Sequence, residues 1–240
     1  MTAAEFFSCS LLAFGAPLAM FALTIANDPV RIIIMIAAAF FWLLSFLLSS
    51  MIWYAVVPLR SYLAFGMVFA ILIQETFRFG VYLLLKRTES GLKEISENHE
   101  IGSNKAEIAY VSGFGFGAMS GAFAIINVLA DSVGPGTLGL RHGSEYFFVT
   151  SASMTLCMTL LNTFWSVIFF NGVDNKSYLK ILWVVGSHLV VSGLSLLNRK
   201  ELYAATIIPS YIILVITLYI AFKCAGGSSK GFLQTFRART

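Results

Sequence analysis

Hydrophobic positions along the chain fall into seven unbroken runs separated by short polar stretches: Ala3–Ile25, Ile32–Val57, Tyr62–Leu85, Ala109–Ala130, Phe147–Phe170, Leu179–Leu197 and Thr206–Phe222. A helix needs about 20 apolar residues to cross the hydrocarbon of a bilayer, and each run is near that length. None alternates with the period of two that a barrel strand requires, and only helices and closed barrels satisfy their backbone in lipid. The pattern predicts an all-α polytopic membrane protein. Residues 1–225 form a single bundle of seven transmembrane helices, and residues 226–240 form a flexible cytosolic tail. The first run reads as a retained helix, because it carries Glu5 and lacks the basic n-region of a signal peptide. A kink is expected near Gly15-Ala16-Pro17.

Composition agrees: 58% of the residues are hydrophobic and 12% are charged, against about 25% charged in a soluble domain. The sixteen Lys and Arg residues set an orientation. With Arg78 set aside inside a span, eleven fall on one side and four on the other, which places the N-terminus outside and the C-terminus in the cytosol. The net charge of +4 is thus a topology signal, with no clustered basic face for a nucleic acid. Cys9, Cys157 and Cys224 have no spacing that suggests a metal or disulfide framework. The sequon Asn175-Lys176-Ser177 faces the cytosol in this topology and is expected to carry no glycan. The stretch Lys86–Ile108, with five glutamates against four basic residues, reads as a solvated cytosolic linker. The outside stretch Asp131–Tyr146 carries Gly134-Pro135-Gly136, Gly139 and Gly143 and reads as a tightly turning loop.

Two patterns lie within the membrane. The fourth run contains Gly113-x-x-x-Gly117-x-x-x-Gly121, whose glycines share one helix face and form a groove for close backbone approach. Its partner could be a helix of this chain or of another. The third run carries Gln74, Glu75 and Arg78. A charge at mid-membrane costs about 2.5–3.5 kcal/mol, so Glu75 and Arg78, three apart on one face, are expected to pair. Counted from the cytosolic end at the helical rise, Glu75 lies about 15 Å deep, His188 about 14 Å, and Asn162 and Gly117 about 12 Å. Four helices therefore bring polar or small residues to one layer. An interior cluster of Gln74, Glu75, Arg78, Asn162 and His188 is expected, with no metal site and no cofactor.

Catalysis has weak support. Ser120 and His188 share a depth, as in a rhomboid-type serine protease, but Ala118 stands where that motif has Gly. An aspartyl protease needs two aspartates within spans, whereas Asp28, Asp131 and Asp174 all fall in loops. A transporter or channel could use the Glu75, Asn162 and His188 layer as a pathway. A seven-helix receptor would carry an Asp-Arg-Tyr or Asn-Pro-x-x-Tyr string, and neither occurs.

The strings Ala39-Phe40-Phe41-Trp42-Leu43, Gln74-Glu75-Thr76-Phe77-Arg78-Phe79, Ala109-Tyr110-Val111-Ser112-Gly113, Phe116-Gly117, Ser120-Gly121, Leu129-Ala130-Asp131-Ser132-Val133-Gly134-Pro135-Gly136, Thr163-Phe164-Trp165 and Val185-Gly186-Ser187-His188-Leu189 follow one another along the chain. Together they resemble the anterior-pharynx-defective family, in an invertebrate form. The resemblance implies a non-catalytic scaffold subunit of the gamma-secretase complex, assembled with presenilin, nicastrin and the presenilin enhancer. Presenilin would supply the aspartates that cleave the membrane stubs of Notch and the amyloid precursor. It also implies residence in endoplasmic reticulum, Golgi, plasma and endosomal membranes. The glycine repeat is the family's assembly motif, carried here by Gly113, Gly117 and Gly121. Of the family's two membrane histidines, His188 matches the second, while the first falls on Asn162. A His–His proton relay lacks one member here, but a hydrogen-bonding role survives, since Asn both donates and accepts.

Overall fold

The computed structural model describes residues 3–59, 62–95, 105–133 and 146–227. Seven helices fill these residues: α1 (Ala3–Thr24), α2 (Pro29–Ala55), α3 (Leu63–Ile95), α4 (Lys105–Val133), α5 (Phe147–Asp174), α6 (Tyr178–Ser195) and α7 (Tyr203–Cys224). All seven are long and apolar enough to cross a membrane. Short 3-10 turns, Val57–Leu59 and Leu196–Lys200, follow α2 and α6.

Local chemistry fixes several ends. Asp28 caps α2: its Oδ1 accepts from the Val30 and Arg31 amides at 2.8 and 3.4 Å, and Pro29 opens the helix where no amide partner is needed. At the end of α5 the Ser177 amide reaches back to Gly172 O at 2.8 Å and Lys176 to Val173 O at 3.2 Å, a Schellman closure with Lys176 left-handed. Gly226, at φ +88, ends α7 in the same way, with Gly227 donating to Phe222 O at 2.9 Å. Both α1 and α7 stay helical through Pro17 and Pro209.

Two expected loops are shorter than the apolar pattern suggests. Helix α3 continues to Ile95, ten residues past Leu85, and α4 begins at Lys105 and ends at Val133. Asp131 therefore lies within α4, and Asp174 is the last residue of α5. The reason is physical: an apolar run marks where hydrocarbon ends, while a helix with internally satisfied hydrogen bonds continues into water. Residues 134–145, which hold the expected glycine-rich loop, and residues 228–240 of the expected tail lie outside the described residues.

Helix α5 is the central post. Its buried positions run almost continuously from Phe148 to Gly172 and so cover every face. Around it pack α4, α1, α6 and α7; α2 covers the other side of α4, and α3 bridges α2 and α6. One large apolar cluster, including Trp42, Phe116 and Trp165, fills the bundle. A smaller one joins Cys9 and Ala13 of α1 to Ile125, Phe148 and Ala152.

Candidate functional site

Lipid tails are as apolar as leucine, so helices in a bilayer associate through close packing and polar contacts. The α4 glycines provide the packing. A Cβ at Gly113 would lie 2.6 Å from both Ser166 Cβ and Thr163 O on α5. At Gly117 it would strike the Thr159 backbone, and at Gly121 the Thr159 hydroxyl. Thr159 Oγ1 donates to Gly117 O at 3.3 Å as well as to Thr155 O at 2.9 Å. The groove is therefore filled by α5 of the same chain. Gly115 points the other way, where a Cβ would strike Met35 O and lie 3.2 Å from Ala38 Cβ on α2. Helix α4 is clamped on both sides by glycines.

The polar contacts converge one layer away. Arg78 Nε donates to Glu75 Oε2 at 3.0 Å and Nη2 to Glu75 Oε1 at 3.3 Å, a two-pronged ion pair within α3. Nη2 also donates to Asn162 Oδ1 at 2.8 Å, and Nη1 donates to Asn162 O at 3.0 Å and to Ser166 Oγ. All five N–H donors of the guanidinium are thereby engaged. Glu75 Oε1 accepts a further bond from His188 Nδ1 at 2.8 Å. Asn162 Nδ2 donates to Met158 O at 3.0 Å, which fixes the amide with its oxygen toward Arg78. The His188 ring stacks on Trp165 with centroids 4.5 Å apart, and Trp165 Nε1 donates to Ser187 Oγ at 2.8 Å. Phe116 of α4 lies under the guanidinium, 5.0 Å from Cζ to ring centroid. Glu75, Arg78, Asn162 and His188 are each at most 5% exposed. Burial of this ion pair is tolerable because each charge meets its counter-charge and additional dipoles at once.

Gln74 does not join. It is half-buried, about 100° around α3 from Glu75, and contributes to none of these bonds. Ser120 is half-buried on α4 and is not a partner of His188, whose ring is engaged by Glu75 and Trp165. Among the described residues, no three His, Cys, Asp or Glu side chains converge to hold a metal.

The charged end of the bundle is tied separately. Arg31 pairs with Glu107 and donates to Thr24 O, joining α1, α2 and α4. Tyr82 OH donates to Asp174 Oδ1 at 2.6 Å, Lys86 donates to Tyr82 OH at 3.1 Å, and Lys105 stands 3.5 Å from Asp174 Oδ2. These groups, with Phe170 and Asn171, line a cavity of about 380 Å³ that is open at this end. Lys180 Nζ and Cys224 O both bond Asn171, which ties α5 to α6 and α7.

The family model described as Aph-1 protein matches residues 4–228, nearly the whole chain. The chain belongs to the Aph-1 family. The protein named gamma-secretase subunit Aph-1 of Drosophila melanogaster is 56% identical over 232 residues, with 97% of each chain covered. Gamma-secretase subunit Aph-1b of Danio rerio is 46% identical over 237 residues, with 95% of this chain and 91% of the relative covered. Gamma-secretase subunit aph-1 of Caenorhabditis elegans is 27% identical, with 95% and 82% covered. The higher identity to the insect than to the fish protein agrees with the invertebrate character of the motifs.

Several members of the Aph-1 site were not legible beforehand. Ser166 is an ordinary residue of an apolar run, and Trp165 and Ser187 stand in the strings that carry the resemblance without a role of their own; only their angular position on α5 and α6 brings them to the charge centre. A usable signal existed for Ser166: it sits four residues after Asn162, on the same helix face. Gly115 carried no comparable signal, since it lies off the four-residue repeat.

Proposed function

We propose that this Aph-1 chain is a non-catalytic scaffold subunit of a gamma-secretase intramembrane protease. In this reading it assembles with presenilin, nicastrin and the presenilin enhancer, has its N-terminus outside and its C-terminus in the cytosol, and leaves the catalytic aspartates to presenilin. It would act in processing of Notch and the amyloid precursor, in the endoplasmic reticulum, Golgi, plasma and endosomal membranes. The observation that carries the reading is the collinear match, over 97% of both chains, to a Drosophila protein named as a gamma-secretase subunit. The charge centre supports it: every donor of Arg78 and both oxygens of Glu75 are taken up within the chain, which suits a group that fixes helices rather than one that meets a substrate. The Gly113, Gly117 and Gly121 face and the Glu75, Arg78, Asn162 and His188 centre serve assembly by holding the shape that partners bind.

The test is affinity purification of the tagged chain in mild detergent with identification of what co-purifies. A complex containing presenilin and nicastrin is expected. A chain recovered alone that moves a solute across liposomes would establish the transporter instead.

A further inference from the structure

The first glycine of the repeat faces something the other two do not. A Cβ at Gly113 would lie 2.6 Å from Ser166 Cβ, 2.6 Å from Thr163 O and 2.9 Å from Ser166 Oγ. Ser166 Oγ accepts from Arg78 Nη1, and Asn162, one turn earlier on the same face of α5, accepts from both Nη1 and Nη2. Every acceptor that α5 offers Arg78 therefore lies on the turn that abuts Gly113. Gly117 meets the Thr159 backbone, and Gly121 meets Thr159 and Thr155, none of which bonds Arg78.

We propose that Gly113 is a positioning residue for Arg78, acting through Ser166: its missing side chain lets α5 come close enough to complete the guanidinium's set of acceptors. The crowding is with a Cβ and a backbone oxygen, so rotating Ser166 about χ1 does not relieve it. A methyl at 113 must push the 162–166 turn away from α4. That movement stretches the Asn162 and Ser166 bonds beyond hydrogen-bonding range and leaves Arg78 held by Glu75. Phe116, on the same turn of α4 as Gly113, confines the guanidinium from the other side. The glycine repeat and the charge centre are on this view one device, and the inference concerns the chain itself, independent of its role in a complex.

The test uses the full chain in bilayers, labelled with 15N-arginine, with the Arg78 signals assigned as those lost in Arg78→Lys. A guanidinium held at all five donors does not rotate, so its two Nη atoms give separate signals. Gly113→Ala is expected to shift and merge them, while Gly121→Ala, whose close neighbours are the rotatable Thr159 hydroxyl and the Thr155 methyl two turns away, leaves them in place. Ser166→Ala is expected to move Nη1 with Nη2 unmoved, and adding it to Gly113→Ala changes nothing further. Wild-type signals in Gly113→Ala, or an equal change in Gly121→Ala, would overturn the proposal. Should Gly113→Ala yield no folded protein, Gly113→Ala/Ser166→Gly, which removes one of the two clashing atoms and keeps the clash with Thr163 O, replaces it: an Nη2 signal displaced from its position in Ser166→Gly alone supports the proposal, and an unmoved Nη2 refutes it.

Discussion

His188 Nδ1 lies 2.8 Å from Glu75 Oε1, so a hydrogen bond in the middle of the bundle joins α6 to α3. Glu75 also holds Arg78, whose remaining donors reach α5, and one carboxylate thus links three helices.

His188→Ala removes one donor from Glu75 and the ring that stacks on Trp165. A buried acceptor left short of its partner costs about 1–3 kcal/mol. The expected outcome is a lower unfolding temperature in detergent and weaker recovery of presenilin and nicastrin at matched expression. Unfolding and recovery both equal to wild type would show that this bond carries no stability.

Asn162 presents Oδ1 to Arg78 at 2.8 Å. Asn162→His keeps an acceptor nitrogen for Arg78, so assembly should survive. Asn162→Leu has similar bulk and no acceptor, and should lose about 1–3 kcal/mol of stability. Co-precipitation of the two variants side by side checks the contrast, and equal behaviour would remove the side-chain bond from the account.

Gly117→Leu places a side chain against the Thr159 backbone, where no rotamer gives way. Gly115→Leu does the same against Met35 O of α2, although it lies off the repeat. Both should insert seven spans yet elute as aggregates or with low recovery on size-exclusion chromatography. A monodisperse Gly115→Leu would mean that α2 does not need this close approach.

Ser120→Ala should leave proteolysis by the reconstituted complex nearly unchanged, because Ser120 does not contact His188 and alanine preserves the small surface of α4. A serine nucleophile would instead lose orders of magnitude in rate. Loss of cleavage with normal assembly would reject the scaffold reading.

The eleven-to-four distribution of basic residues predicts that a tag after Thr240 is cytosolic and one before Met1 is outside. Protease treatment of sealed microsomes decides this. A C-terminal tag digested only after the vesicles are opened reverses the orientation.

The sequence by itself determined the number of spans, because bilayer thickness demands about 20 apolar residues and no soluble fold tolerates seven such runs. It also determined the Glu75–Arg78 pair, since a three-residue spacing makes two side chains neighbours on any helix. The common depth of Asn162 and His188 followed from counting the rise. Neighbour order and helix rotation did not follow, because in lipid every face of a span is apolar and no hydrophobic stripe marks the side that turns inward. Only the tertiary structure decided that α5 fills the Gly113, Gly117 and Gly121 face, that Gly115 serves α2, and that Ser166 completes Arg78. It turned Gln74 and Ser120 away from the centre for the same reason: depth is set along the helix axis, but contact is set by the angle around it.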